Sequence, residues 1–206
     1  MIQNKQCPES YRDLNMKLII ASNNKHKIAE IKSILNGEFE EILSLSEAGI
    51  NHETVEDGET FLENSLKKAR EICAISGSAA LADDSGLCVN SLGGAPGVYS
   101  ARYSGEVADA NSNNRLLLKN LEGVVDRSAY FSCTVALVYP DGREVVAEGR
   151  VNGEIIDSYR GENGFGYDPI FFVKEKGKTL AEMSDDEKNA ISHRGNALAA
   201  LLLKLK

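Results

Sequence analysis

Four residues, Asp83-Asp84-Ser85-Gly86, follow directly on the apolar run Ala79-Ala80-Leu81-Ala82, and this junction constrains the chain more than any other segment. A short apolar run of that kind reads as a buried strand. It delivers two adjacent carboxylates to what Ser-Gly marks as a turn at the strand's end. Successive side chains on a strand point to opposite faces, so Asp83 and Asp84 are expected to do different work. Two acids this close raise each other's energy unless a cation or a hydrogen-bond network compensates them. A divalent metal is one such cation. A turn braced by its own carboxylates is the plainer alternative.

The surrounding pattern sets the fold class. Lys17 to Ala21 reads as a first strand, and Ser22-Asn23-Asn24 supplies turn and N-cap chemistry. A helix follows, with Ile28, Ile31 and Leu35 on one face, and Phe39 to Leu43 reads as a second strand. After the acidic loop Val55 to Thr60, the spacing predicts a helix over 59–76 with Leu62, Leu66, Ala69 and Cys73 on its apolar face. Leu92 to Gly105 reads as a glycine-rich loop, and a helix is expected from Ala108 to Leu121. Tyr130 to Tyr139 and Arg143 to Ile156 make a hairpin turned at Asp141-Gly142. A short strand is expected at Ile170 to Val173, and a last helix carries Leu198, Leu201, Leu202 and Leu205. Strands and helices mix around a long antiparallel hairpin, so the expected class is α/β, with an elongated mixed β-sheet flanked by helices.

Size and charge narrow the function. The chain has 206 residues, 42% of them hydrophobic, which fits one domain over 16–206 behind a polar, flexible N-terminal extension over 1–15. A formal net charge of -8 argues against binding a nucleic-acid polymer through a general basic surface. A few converging Lys and Arg can still hold one small polyanion. No apolar run of about 20 residues is present, so no membrane span is expected. Residues 1–15 lack the apolar segment of a signal peptide, and a cytoplasmic location is expected. Cys7, Cys73, Cys88 and Cys133 have neither metal-type nor paired spacing and read as reduced thiols, three of them buried.

Four further segments carry chemistry. Ser22-Asn23-Asn24-Lys25-His26-Lys27 lies where a strand gives way to a helix, and free N–H groups and the helix dipole suit such a place to phosphate. The bland alternative is a capped helix with solvated lysines. Glu56-Asp57-Gly58-Glu59-Thr60 either favours the dipole of the helix it precedes or lends an oxygen to Mg²⁺. On that helix Lys68, one turn after Asn64, lies opposite much of the apolar stripe and reads by itself as solvated. In Gly164-Phe165-Gly166-Tyr167-Asp168-Pro169 two glycines allow close backbone approach, and an aromatic ring can stack on a flat heterocycle or sit in the core. Ser192 is a candidate N-cap that would put His193 and Arg194 in the first turn of the last helix. Cations there oppose the dipole unless an anionic or polar ligand joins them. Lys188 is nearby in sequence.

Taken in order, these segments make the chain resemble the Ham1/RdgB-type inosine triphosphate pyrophosphatase family. The resemblance rests on Ala21 to Lys27, Glu56 to Phe61, Ala82 to Leu87, Gly93 to Tyr103, Phe165 to Pro169 and Ile191 to Gly195. The family's first segment usually reads Thr-x-Asn-x-x-Lys. Here Ser22 keeps the hydroxyl, and Asn24 and Lys27 match. The resemblance implies two lobes with a central cleft, a cytoplasmic homodimer, and Mg²⁺-dependent hydrolysis of non-standard purine nucleoside triphosphates (ITP, dITP, XTP) to the monophosphate and pyrophosphate. It further implies that Glu56 and Asp84 hold the metal, with Asp84 also the general base, and that Asp83 supports Asp84 or a second ion. Ser22, Asn24, Lys27 and Lys68 would cradle the phosphates, with Ser85 touching substrate near the metal. Phe165, Gly166, Tyr167, Asp168, Lys188, His193 and Arg194 would form the nucleoside end, with Arg194 or backbone N–H groups meeting the 6-oxo acceptor. Two rival readings are a Maf-like pyrophosphatase acting on pyrimidine nucleotides and a sensor that binds the nucleotide without turnover.

Overall fold

The computed structural model describes residues 16–105, 107 and 109–206. The expectations for residues 1–15, for Cys7 and for a helix start at Ala108 lie outside the described residues. The first strand, β1 (Lys17–Ile20), buries Leu18, Ile19 and Ile20. The chain then passes Asn24, whose side chain accepts from the N–H groups of His26 and Lys27, into α1 (Lys25–Ile34). Strand β2 (Glu41–Ser44) returns parallel to β1. Thr60 and Glu63 form a reciprocal capping box that starts α2 (Phe61–Ser76), and Gly77, in the left-handed conformation at φ +64°, ends it.

The strand that opens on Ala79 does not stop at the acidic pair. β3 (Ala79–Val89) runs straight through it, parallel to β1 and then antiparallel to β4 (Ser128–Val138). The expected turn at Ser85-Gly86 is therefore a mid-strand position, with Asp84 opposite Thr134 and Ser85 opposite Cys133. Gly86 is there for closeness rather than for a turn, because a Cβ would stand 2.3 Å from the Gly97 carbonyl oxygen and 2.5 Å from Ser100 Oγ. The glycine-rich stretch beyond β3 forms two 3-10 turns, Asn90–Leu92 and Gly97–Arg102, and then α3 (Ala110–Asn120).

β4 and β5 (Glu144–Ile155) make the long hairpin expected from the sequence. β6 (Phe171–Val173) and β7 (Lys178–Thr179) complete one seven-stranded sheet in the order β2-β1-β3-β4-β5-β6-β7. The two-residue β7 and the five-residue α4 (Asp185–Asn189) had no periodic signature. Ser192 caps α5 (His193–Lys204) by accepting from Gly195 N–H. The core divides into three groups: α1 and α5 on one face of the β1 region, α2 on the other, and α3 with β6 around the far half of the hairpin. That division produces two lobes. α2 departs from its expected stripe: Leu62 is exposed, and Asn64, Ser65, Lys68, Ala69, Ile72 and Cys73 are buried.

Candidate active site

A cleft of about 850 Å³ opens between the lobes, and every site residue named from the sequence lines it except Asp83. The N-terminus of α1, the 51–58 loop, β3, the 165–168 segment and the start of α5 all reach it.

Alternation along β3 sends its two acids to opposite faces. Asp83, 2% exposed, lies between Lys27 Nζ at 3.0 Å and Arg194 Nε at 3.1 Å. Burial pushes its carboxyl up, and Lys27 and Arg194 outweigh that and hold it well below the usual range. Two cations already compensate Asp83, and the structure does not bring it to Glu56 as a metal ligand. Asp84 faces α2. Its Oδ2 accepts from Asn64 Nδ2 at 3.0 Å and its Oδ1 from Ser85 N–H at 3.0 Å. Burial raises its pKa against the opposing pull of Lys68.

Lys68 is not solvated. Its Nζ is 2.9 Å from Glu56 Oε2 and 3.9 Å from Asp84 Oδ1. One ammonium thus reaches both carboxylates, so the place between them accommodates positive charge. The donors are hard oxygens, which suits Mg²⁺, an ion that takes one or two protein carboxylates and completes its shell with phosphate and water. Among the described residues no three His, Cys, Asp or Glu form a closed metal cage. The fit is to an ion shared with a ligand.

At the other end, Lys188 Nζ is 2.7 Å from Asp168 Oδ2, which also accepts from Phe165 N–H at 2.8 Å. Burial pushes the Asp168 carboxyl up against Lys188. The Phe165 ring is partly exposed, with Lys188 4.7 Å from its centroid and His26 stacked at 5.6 Å. Tyr167 is buried, and its hydroxyl donates to the Ser100 carbonyl at 2.8 Å. Arg194 lines the cleft, and its guanidinium donates to Asp83, Glu30 and Ser85 Oγ. His193 stacks on Phe131 at 5.0 Å, and burial, then Arg194, push its pKa well below the usual value. A neutral His193 and an Arg194 bound to acids remove the clash with the dipole of α5, so no ligand is needed to explain them there.

Sequence reasoning missed three contributors. Glu30 accepts from Ser192 Oγ and Arg194, joining α1 to α5. Arg102 donates to the Glu56 carbonyl at 3.3 Å. Asn64 sits on the buried face of α2, and a buried amide demands partners, which is the signal that could have drawn attention to it.

The fold and the cleft define an α/β protein that sets a carboxylate pair opposite cationic side chains and a helix N-terminus, a class suited to polyphosphate ligands. The sequence pattern of the Ham1 family matches residues 18–204, and the chain belongs to that family. It is 52% identical over 198 residues to a dITP/XTP pyrophosphatase of Clostridium perfringens, covering 92% of this chain and 97% of that one. A protein of the same name from Geobacter sulfurreducens is 53% identical over 187 residues, covering 90% and 94%. Among solved structures, the Staphylococcus aureus Ham1 protein superposes with a TM-score of 0.84 at 42% identity, covering 92% of this chain and 97% of that one.

Proposed function

We propose that this chain hydrolyses dITP, XTP and ITP to the monophosphate and pyrophosphate, with Mg²⁺, as a cytoplasmic homodimer. The observation that carries the reading is the meeting of Glu56, Asp84 and Lys68 in one cleft with Lys27 and the N-terminus of α1. Relatives about half identical in sequence carry the name dITP/XTP pyrophosphatase, which supports the substrate class.

Glu56 and Asp84 would hold the ion, which when bound neutralises triphosphate charge. Ser22, Asn24, Lys27 and Lys68 hold the triphosphate by hydroxyl, amide and ammonium donors, with Ser85 beside them. Asp84 accepts a proton from the attacking water. The water oxygen bonds to the α-phosphorus, the bond from that phosphorus to the bridging oxygen breaks, and pyrophosphate leaves. Asp83 acts by fixing Lys27. Phe165 offers a face for the purine, and Gly166, Tyr167, Asp168 and Lys188 frame it. His193 closes the wall behind the base. Arg194 or backbone N–H groups would meet the 6-oxo acceptor, and an adenine amino group there would leave a donor unmatched at about 1–3 kcal/mol.

The test is pyrophosphate release from ITP, XTP, GTP, ATP, UTP and dTTP, with Mg²⁺ and with EDTA. Fast Mg²⁺-dependent turnover of ITP and XTP over ATP and GTP is expected. Preference for UTP or dTTP, or binding of ITP without pyrophosphate, would overturn the reading. Light scattering tests the dimer, whose mass is twice the 22.3 kDa of the chain.

A further inference from the structure

We infer that Asn64 is a positioning residue that fixes the spacing of the two metal-binding carboxylates, an inference that rests on the function just proposed. Glu56 lies in a segment, 51–58, without regular secondary structure, whereas Asp84 lies in the middle of a central strand. A loop without ladder hydrogen bonds and a central strand hold a fixed separation only if something ties them together. Asn64, 1% exposed in the first turns of α2, touches both. Its Oδ1 accepts from Gly58 N–H at 2.8 Å, and its Nδ2 donates to Asp84 Oδ2 at 3.0 Å.

These two contacts fix the amide's orientation. A flipped amide would set its NH₂ against the Gly58 donor and its oxygen against the Asp84 carboxylate. With Oδ2 held by Asn64, the Oδ1 of Asp84 is the oxygen nearer Lys68. Gly58 supplies a second, independent sign that this contact was built in. A Cβ on Gly58 would fall 2.7 Å from Asn64 Oδ1 and 2.8 Å from Glu63 Cβ, so only glycine allows the backbone to approach this closely. Lys68, one turn further along α2, also spans the loop and the strand, but through a charge that an arriving ion would displace. Asn64 is neutral and keeps its grip in both states. Partners that orient metal ligands in this way are commonly worth roughly 10- to 100-fold in metal affinity.

The experiment compares wild type with Asn64→Leu, which keeps the branching at Cγ and removes both hydrogen bonds, and with Gly58→Ala, which keeps Asn64 and denies it the approach. Two readouts need no substrate: Mn²⁺ binding to the free protein, and amide exchange at residue 58 in hydrogen–deuterium exchange. The third is the Mg²⁺ concentration for half-maximal pyrophosphate release. Both variants should exchange the residue 58 amide faster, bind Mn²⁺ roughly 10-fold or more weakly, and need correspondingly more Mg²⁺. KM for ITP at saturating Mg²⁺ should move much less. Loss of thermal stability with unchanged Mn²⁺ affinity and unchanged Mg²⁺ dependence would reduce Asn64 to a packing role and overturn the inference. A wild type that releases pyrophosphate without Mg²⁺ would overturn the proposed metal chemistry instead, so the two failures are distinguishable.

Discussion

Lys27 Nζ lies 3.0 Å from Asp83 Oδ2, on the face of β3 opposite the one that presents Asp84 to Asn64. Two acids adjacent in sequence therefore sit in unlike electrostatic surroundings. Asp83 is held ionised by Lys27 and Arg194, while burial raises Asp84 toward its neutral form. The same substitution should act oppositely on them. Asp83→Asn leaves Lys27 and Arg194 short of a buried counter-charge and should cost about 3 kcal/mol or more of stability. Asp84→Asn relieves a desolvated carboxylate and should stay within about 1 kcal/mol of wild type. Its turnover should fall by roughly a hundred-fold or more, because the proton acceptor is gone. Urea unfolding and pyrophosphate release on both variants decide it. A stable Asp83→Asn would mean that the pairing with Lys27 carries little.

His193 makes the protein sensitive to mild acid. Its ring is buried against Phe131, its Nδ1 has no hydrogen-bond partner among the described residues, and burial and Arg194 keep it neutral in the folded state. In the unfolded chain it takes up a proton near pH 6.5. Below that pH the unfolded state binds one more proton than the folded state, so stability falls as pH falls. The slope from this one group approaches about 1.4 kcal/mol per pH unit. Melting temperatures of wild type and His193→Gln at pH 7.5, 6.5 and 5.5 measure the difference, and the variant should lose the smaller share. Parallel pH profiles would show that His193 titrates normally.

Much of this was legible before the structure, for identifiable reasons. The β4–β5 hairpin follows from the turn chemistry of Asp141-Gly142, and α2 from the helical spacing of its apolar residues. The opposite facing of Asp83 and Asp84 follows from strand geometry alone. The misread turn at Ser85-Gly86 arose because Gly86 answers to Gly97 and Ser100, distant residues that no local rule contains. The solvated reading of Lys68 fails for a similar reason. Its burial depends on Glu56 and Asp84, brought to it by tertiary structure. The partners of Arg194, Glu30 on α1 and Asp83 on β3, likewise come from distant parts of the chain.

Gly149 couples the sheet to the nucleoside end of the cleft. A Cβ there would lie 2.2 Å from both Ala197 N and the His193 carbonyl oxygen, because α5 presses its backbone onto β5. Neither atom belongs to a flexible side chain. Gly149→Ala must displace α5, and overpacking of this kind costs about 1–3 kcal/mol. The displacement carries His193 and Arg194 with it, so KM for ITP should rise along with the loss of stability. An Asn111→Ala control at an exposed position of α3 should leave both unchanged. A Gly149→Ala protein with wild-type KM would show that the start of α5 can shift without disturbing the base.

Lys68 stands where the proposed ion would go, which gives a test separable from catalysis. Its ammonium bridges toward Glu56 and Asp84, so Mg²⁺ must displace it before binding. In Lys68→Met that competitor is absent, and the carboxylates are left uncompensated. The substrate-free variant should melt below wild type, and Mg²⁺ should recover more stability in it than in wild type. An ion at 100 times its dissociation constant adds about 2.7 kcal/mol by mass action. Turnover should still fall, because the triphosphate has lost an ammonium donor. Calorimetric melts with and without Mg²⁺, and with Ca²⁺ for comparison, give the answer. Equal Mg²⁺ stabilisation of both proteins would place the ion away from Lys68 and remove Glu56 and Asp84 as its shared ligands.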